Sequence, residues 1–314
     1  FMPLNDRPKF SWPNNAKIAW CVYLYLEYLE LDPPQNSIRD PRYGGALGSH
    51  FPDYLNYSVR EHGNRIGFWR VLDLLDKYNI KPTVPINAML AERYPRMVQE
   101  CIDRGWEIAG HGISATQMIT SESSEIEEKA IITRSLEILR ERSGSEIKGW
   151  FGQDFSQSTR TLKLLSEFGI EYAADFPNDD TPYTTNYNGL ICIPNQSEWD
   201  DTQLMAIRRL MPWRWCDVVI EAFDYLYNEA HPSGTVMTLS IHPWLLGQAH
   251  RIKYLDEALK KMTGYKDVWQ TSAAEMATHY RNNMKISSKE YQRFSRQIIL
   301  KKFGMIGQKK LKSS

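Results

Sequence analysis

The sequence lacks a net charge, a long apolar run and a recognisable pairing of cysteines. Its 38 Lys and Arg residues balance 38 Asp and Glu residues, which argues against a nucleic-acid-binding or anionic-membrane-binding protein, because both usually need a cationic surplus. No apolar stretch approaches the roughly 18 residues of a membrane span. The first residues also lack the basic and then apolar pattern of a signal peptide. We therefore predict a cytoplasmic protein that binds neither nucleic acid nor membrane.

The cysteine pattern and the composition narrow the class of protein further. The four cysteines lie far apart among apolar neighbours, which predicts reduced thiols in the core rather than disulfides or metal ligands. They are Cys21, Cys101, Cys192 and Cys216. An apolar share of 42% and a charged share of 24% are typical of a folded enzyme and exclude a disordered chain. No Gly-rich phosphate loop follows a predicted strand, which disfavours a dinucleotide-binding fold.

Short apolar runs rich in β-branched residues alternate with helical spacing along the 314 residues. Helical spacing is clearest at 66–78 and 126–139, and eight segments are predicted as strands. These are 18–26, 82–86, 106–109, 149–151, 172–176, 190–193, 236–241 and 268–270. The alternation predicts an α/β fold with a parallel sheet and outer helices. Eight strands favour a (β/α) barrel over an open doubly wound sheet.

Polar residues follow the predicted strands, at the end where barrel enzymes carry their catalytic groups. They are Glu27, Asn87, His111, Gln153, Asp154, Asp179, Asp180, Asn195, His242 and Thr271. We therefore predict a functional site at this end. The irregular segment 32–64 is predicted to be a cover or an interface arm. Arg65, at the start of the first predicted helix, could bind a carboxylate or amide oxygen, or it could be a surface residue paired with Glu61.

Five ordered segments resemble the polysaccharide deacetylase superfamily. They are 61–67, 105–112, 148–162, 175–183 and 239–251. The first and the last two resemble in particular the branch that contains the metal-independent allantoinases. The resemblance implies a deformed (β/α) barrel of the polysaccharide deacetylase type, which we place over residues 1–284.

The resemblance also shows where this chain departs from the family. Members carry two adjacent aspartates after the first strand, a catalytic base and a metal ligand, and two histidines spaced four apart that bind zinc. Glu27 and Tyr28 stand at the first pair, and His111 and Ala115 at the second. Because a catalytic zinc needs about three protein ligands, and two of the family's three are replaced, we expect no tightly bound metal or other cofactor. His111 is the ligand if zinc binds.

The chemistry that remains is amide hydrolysis, which needs an activated water, a stabilised oxyanion and a proton for the leaving nitrogen. The resemblance gives Glu27 the role of base, provided that desolvation raises its pKa toward neutrality. It gives His242 the role of acid, which an ordinary histidine pKa suits, and His111 could stabilise the oxyanion. The structural alternatives are an ion pair between Glu27 and an arginine such as Arg65, and hydrogen-bonded core histidines.

Five further residues are candidates for binding the substrate. They are Arg65, Trp150, Asp154, Asp179 and Trp244. Tryptophans in such positions more often pack than bind a ligand, and Asp179 could equally belong to a capped turn. We predict hydrolysis of a linear non-peptide C–N bond (amide, formamide or ureide) in a small polar substrate by a homo-oligomer. The alternative is a degenerate barrel that serves as a binding or scaffold module.

The C-terminal segment 285–314 carries a second resemblance. Its residues 291–311 resemble the opening helices of adenylate-forming enzymes related to ubiquitin-activating enzyme. The resemblance implies a linker and the truncated beginning of an adenylyltransferase-like domain, hence a covalently fused adenylating domain beyond Ser314. The alternative is a basic amphipathic tail.

Overall fold

Nine strands form one curled sheet in the part of the chain that the computed structural model describes, residues 3–35, 52–229 and 231–284. The strands are β1 Ile18–Leu24, β2 Thr83–Ile86, β3 Glu107–Gly110, β4 Gly149–Trp150, β5 Tyr172–Ala173, β6 Tyr183–Thr184, β7 Ile191–Cys192, β8 Thr235–Ile241 and β9 Val268–Gln270. Their order is β6-β7-β5-β4-β3-β2-β1-β8, with β9 paired to β1. Only the β6–β7 pair is antiparallel among these described strands.

Helices lie in most of the connections between the described strands. The α-helices are α1 Tyr54–His62, α2 Phe68–Lys77, α3 Ala88–Arg93, α4 Pro95–Asp103, α5 Glu125–Ser143, α6 Thr161–Glu167, α7 Pro212–Glu229, α8 Pro243–Leu246, α9 Ile252–Thr263 and α10 Ala273–Asn283. A π-helical turn, Gly63–Gly67, joins α1 to α2, and a second one spans Thr202–Ile207. Helix α5 begins with a capping box between Ser124 and Glu127 and ends at Gly144 with φ 65°, as helix signals predict.

The alternation of side chains along β1 decides which residues enter the barrel. All seven of its residues are buried. Even-numbered residues from Ile18 to Leu26 pack in the cluster under the helices, and odd-numbered ones from Ala19 to Tyr25 pack inside the barrel. Because the period of a strand is two, this alternation continues past the strand. Glu27 then falls on the inner side, whereas Tyr28 belongs to the outer cluster.

The predicted fold class is confirmed, and the eight predicted strands are present. The short strand β6 was not predicted. The strand predicted at 172–176 ends at Ala173, so Asp175 already lies beyond it. The prediction that 32–64 is irregular is wrong for its last part, because α1 begins at Tyr54 with Asp53 as its N-cap. The buried residues of α1 are polar, Asn56 and Arg60, so the helix lacks the apolar periodicity that would have revealed it.

Two glycines bring the π-helical turn against the segment that follows β8. A Cβ at Gly63 would lie 2.6 Å from the Cα of Trp244, and one at Gly67 would overlap the carbonyl oxygen of Pro243. Only residues without a side chain allow this approach. The contact places the end of α1 beside His242, the residue before Pro243.

We predict that Gly67→Ala destabilises the protein by about 1–3 kcal/mol, because the new methyl group forces two backbones apart. Urea-induced unfolding measures this change. The control is Gly264→Ala, at the end of α9, where the new Cβ meets only the helix's own carbonyls at 3.3 Å or more. It should change stability by no more than about 0.5 kcal/mol. Equal stability of the two variants would contradict the packing described here.

Several predictions fall on residues that the structure does not describe. The adenylyltransferase-like segment 285–314 and residues 36–51 of the predicted arm lie outside the described ranges. Within those ranges, no helix is both long enough and apolar enough to cross a membrane. The four cysteines are buried and unpaired, as predicted. The homo-oligomer and the cytoplasmic location stay predictions.

Candidate active site

A cavity opens at the carboxyl end of the strands, where β1, β3 and β8 each deliver one predicted catalytic residue. Its wall includes Glu27 after β1, His111 after β3 and His242 after β8. It also includes Arg60 from α1 and Gln153 and Asp175 from the turns after β4 and β5. The carboxyl ends of parallel strands meet at one edge, which is why residues far apart in sequence share this wall.

Glu27 is held on both carboxylate oxygens. Arg60 Nη1 donates to Oε2 at 2.5 Å, and Gln153 Nε2 donates to Oε1 at 2.5 Å. The side chain is only 5% exposed. Burial alone would raise the pKa of Glu27, but Arg60, His111 and His242 together hold it below its usual range. The carboxylate therefore stays ionised at neutral pH, and the condition attached to its role as base is not met.

His111 is fixed through its Nδ1 atom, which lies 2.9 Å from the carbonyl oxygen of Phe151. A carbonyl oxygen only accepts, so Nδ1 carries the proton and Nε2 has the lone pair in the neutral ring. Nε2 is buried without a hydrogen-bond partner in the described chain and lies 3.5 Å from Glu27 Oε1. At Nε2 the neutral ring is able only to accept a hydrogen bond, and only the imidazolium could donate one to an oxyanion.

His242 forms a buried pair with Asp201. The His242 Nδ1 atom lies 2.6 Å from Asp201 Oδ1, and the His242 backbone N–H donates to Oδ2 at 2.7 Å. The ring also stacks on Tyr25 with 4.4 Å between centroids. Burial lowers the pKa of His242, but the Asp201 charge outweighs it and raises the pKa to about 9. At neutral pH the imidazolium is the main form, and Nε2 is the nitrogen left to act on a ligand.

Asp175 is a second carboxylate on the cavity wall, and its pKa is shifted in the opposite direction to that of Glu27. It accepts from the Gly152 backbone N–H at 2.7 Å and from the side chain of Gln157. No arginine pairs with it in the described chain. Burial raises its pKa to about 6, because these two hydrogen bonds offset only part of the desolvation.

The structure brings some of the predicted site residues together and leaves others out. Glu27, His111, His242 and Asp154 line the cavity. Arg65 is exposed on the π-helical turn, and Arg60 makes the contact with Glu27 that was considered for it. Asp179 pairs with Arg7 at 2.5 Å.

The two tryptophans predicted to bind substrate are buried and lie outside the cavity lining. Trp150 is 1% exposed and its ring lies against Gly110. Trp244 is 5% exposed and lies under the Arg60 guanidinium, 4.1 Å from its carbon to the ring centroid. Trp244 thus contacts the site through Arg60, which lines the cavity, and a cation over an aromatic face is a stabilising contact.

Sequence reasoning missed Arg60, Asp175 and Asp201. Asp175 would have been found by ending the fifth strand two residues earlier. Asp201 is one of two adjacent aspartates, Asp200 and Asp201, which precede a π-helical turn and follow no strand directly. Their sequence gave no sign of an approach to His242, 41 residues away.

The donors around His111 do not fit the zinc site of the family resemblance. The Tyr28 ring is packed outside the barrel, 4.7 Å from the Arg93 guanidinium carbon, and Ala115 has no donor atom. The Arg60 guanidinium next to Glu27 would repel a cation there. Two donors remain, Glu27 and His111, short of the three that a catalytic zinc needs.

Another group of donors lies nearby. Asp200, Asp201 and His242 place one donor atom each within 4.8 Å of one another. Asp201 already holds His242, and Asp200 Oδ1 accepts from Thr202 Oγ1 at 2.5 Å. A metal ion would have to replace these hydrogen bonds. The absence of a metal therefore stays a prediction.

Comparisons with known proteins agree with this architecture. Residues 61–173 match the family model of the polysaccharide deacetylases. A Schizosaccharomyces pombe protein provisionally named a polysaccharide deacetylase is 25% identical over 304 residues, which cover 88% of this chain and 92% of that protein. The peptidoglycan deacetylase of Helicobacter pylori is 25% identical over 141 residues, 45% of this chain and 47% of that one.

Solved structures extend the match to most of the chain. A probable polysaccharide deacetylase from Pseudomonas aeruginosa PAO1 superposes with a TM-score of 0.77 at 24% identity, over 88% of this chain and 95% of that one. The fold is that of the polysaccharide deacetylases. Puue allantoinase superposes on this deacetylase-type barrel with a TM-score of 0.76 at 23% identity, over 88% and 94% of the two chains. The resemblance stated from the motifs is confirmed for the fold and for the match of residues 61–173 to the family model.

We predict that Arg60→Met lowers the free energy of unfolding by about 3 kcal/mol or more, because it leaves the Glu27 carboxylate buried without its cation. Arg60→Met combined with Glu27→Met should recover much of the loss, giving a positive coupling in a double-mutant cycle. Urea-induced unfolding of the four proteins measures it. Arg65→Met is the matched control, and it should be nearly neutral because Arg65 is exposed. An Arg60→Met variant as stable as this control would overturn the assignment of the pair.

Proposed function

We propose that this chain hydrolyses the C–N bond of an amide, formamide or ureide in a small polar substrate. The observation that carries the proposal is the buried His242–Asp201 pair on the same cavity wall as Glu27, His111 and Asp175. The named activities of the relatives, deacetylases and an allantoinase, break the same type of bond. Such a reaction requires a proton donor, and it can use two carboxylates whose pKa values differ.

His242 is the proposed acid. With Asp201 accepting from Nδ1, the Nε2–H of the imidazolium is available for the leaving nitrogen. Its pKa of about 9 keeps the proton on the ring at neutral pH. The proton that leaves Nε2 converts the departing nitrogen into a neutral amine, so the C–N bond can break without forming an amide anion.

The proposed base is Asp175 rather than Glu27. A general base works best with a pKa near the operating pH, and the pKa of Asp175 is raised to about 6 by burial, whereas that of Glu27 is lowered by its cationic neighbours. Glu27 stays ionised, and with the His111 Nε2 lone pair it can accept hydrogen bonds from the attacking water. Glu27 as base, expected from the resemblance, would need the loss of the Arg60 contact.

Arg60 and Gln153 are the proposed donors to the oxyanion. Both line the cavity and carry N–H groups beside Glu27. A guanidinium in a water-poor site stabilises developing negative charge strongly. This chemistry uses no metal at the position near His111, where Tyr28 and Ala115 replace two of the three ligands expected from the family resemblance.

A non-catalytic binding module is the second candidate. The observation that favours it is that Tyr28 and Ala115 stand where the family resemblance places metal ligands. A barrel that had lost its catalytic metal in this way could still bind a ligand in its cavity. A binding module would not need a histidine paired with a buried aspartate. The variants below separate the two.

We predict that the purified protein hydrolyses at least one member of a panel of ureides, N-formyl amides and N-acetyl amides, with no loss of rate in the presence of a chelator. His242→Gln and Asp175→Asn should each lower turnover by about 10²-fold or more. Trp150→Phe, outside the cavity, is the control and should keep most of the rate. Uniform inactivity across the panel would reject the hydrolase and favour the binding module.

We predict a bell-shaped pH dependence of kcat/KM. The rate should rise as Asp175 loses its proton near pH 6 and fall as His242 loses its proton near pH 9. Asp201→Asn should move the falling limb to lower pH, because removing the negative partner lowers the pKa of His242. A rising limb that stays below pH 5 would instead assign the base to Glu27.

A further inference from the structure

The cavity wall has a strong excess of acidic side chains. Six of its lining residues are acidic, and Arg60 is its one Lys or Arg among the described residues. The acidic residues are Glu27, Glu30, Asp53, Asp154, Asp175 and Asp200. Arg60 is already paired with Glu27. Towards the N-terminus of α1, the wall therefore presents negative charge to whatever binds there.

Glu30 shows how that charge is maintained. Its Oε2 atom accepts from Ser114 Oγ at 2.5 Å, Thr116 Oγ1 at 2.6 Å and Gln117 Nε2 at 2.9 Å. All three donors are neutral. In the described chain no Lys, Arg or His lies within 4.0 Å of Glu30. Neutral hydrogen bonds fix the carboxylate and leave its charge for a ligand.

Asn56 supplies an independent sign of a missing ligand. The residue is 7% exposed and lines the cavity, and its side-chain oxygen Oδ1 is buried without a hydrogen-bond partner among the described residues. Buried acceptors in native proteins nearly always have a donor. Oδ1 only accepts, so a ligand that satisfies it must bring an N–H or O–H group.

Helix α1 sets the distance between the two ends of the cavity. Asp53, Asn56 and Arg60 all line it, at spacings of three and four residues that keep them on one helix face. At 1.5 Å per residue, Asn56 lies about 6 Å and Asp53 about 10 Å from Arg60 along the axis. The catalytic groups lie at the Arg60 end, and the acceptors lie one to two turns away.

We propose that the substrate is a cationic amide, a mono-N-acylated diamine or a close chemical relative, whose ammonium group binds to Glu30, Asp53 and Asn56. This inference rests on the proposed hydrolase function and names its substrate class. The acyl C–N bond lies at Glu27 and Arg60. The cationic Arg60 repels the ammonium group from that end, so the charges fix the orientation.

The cavity also has apolar side chains that suit the carbon chain of such a substrate. Leu29, Leu31, Met118 and Phe155 line the same cavity. Apolar side chains pack against methylene groups and offer no hydrogen bonds. A neutral sugar could donate hydroxyl groups to the carboxylates, but it would bring no positive charge to them and no methylene chain to the apolar side chains. An anionic substrate would be repelled by Glu30 and Asp53.

The test compares three acetamides that each carry four carbons on the amide nitrogen: cationic N-acetylputrescine, neutral N-butylacetamide and anionic N-acetyl-4-aminobutyrate. The cationic amide should have a kcat/KM at least about tenfold above the neutral one, since a hydrogen-bonded charge contributes on that order. The anionic amide should be the poorest. The preference should shrink as salt is added, because exposed parts of the site are screened.

Two variants test whether Glu30 and Asp53 cause the preference for the cationic amide. Glu30→Gln keeps the side chain's shape and removes its charge, and Asp53→Asn keeps a good N-cap for α1. Each should lower the ratio of cationic to neutral kcat/KM about tenfold. Glu137→Gln, an exposed acidic residue on α5 outside the cavity, is the matched control and should leave the ratio unchanged.

Binding measurements keep this inference separate from the proposed function. If the wild-type protein hydrolyses none of the amides, the hydrolase proposal fails, but calorimetry with N-acetylputrescine and N-butylacetamide still tests the cationic site. Tighter binding of the cationic amide that is lost in Glu30→Gln supports the inference. Equal binding of the two amides, or faster turnover of the neutral or anionic one, overturns it.

Discussion

The buried ion pair between Arg60 and Glu27 is the interaction on which the rest of the site depends. It joins helix α1 to the segment that follows β1, and Gly63 and Gly67 let the end of this helix lie against the segment after β8. The guanidinium also lies over the ring of Trp244. A carboxylate buried without this cation would be protonated or would destabilise the fold, so the pair determines both the protonation of Glu27 and the position of α1.

The ionisable groups of the site have pKa values that are shifted in different directions by different neighbours. Arg60 holds the pKa of Glu27 low, burial raises that of Asp175, and Asp201 raises that of His242. The three groups share one cavity wall, yet each has a different neighbour: a cation, neutral donors, or an anion. Neighbours of different charge are how one site holds an ionised carboxylate, a proton acceptor and a proton donor at the same pH.

Helix α1 contributes both to the proposed reaction and to the proposed recognition of the substrate. Helix α1 carries Arg60 near its C-terminus and Asp53 at its N-cap, so one rigid element holds a cation at the reacting end and an anion at the other. The deacetylase-type barrel fold alone does not dictate this, because α1 belongs to the connection between β1 and β2 and not to the sheet. Connections are where barrels of one architecture differ in what they bind.

The sequence by itself was enough for the architecture. Strand and helix periodicities predicted the parallel sheet, and strand ends placed Glu27, His111 and His242 at one rim, because local hydrophobic patterns are set by neighbours along the chain. The five motif segments added the family of the fold. The fifth strand was predicted to run to residue 176 but ends at Ala173, so the prediction placed Asp179 and Asp180 after it in place of Asp175.

Tertiary structure decided the partners and therefore the charges. The choice of Arg60 over Arg65, the approach of Asp201 to His242 and the outward packing of Tyr28 all depend on contacts between segments distant in sequence. A pKa depends on burial and on charges within a few ångströms, and neither is encoded in local spacing. The sequence determined which chemical groups are present at the rim, and only the folded chain determined which of them are charged.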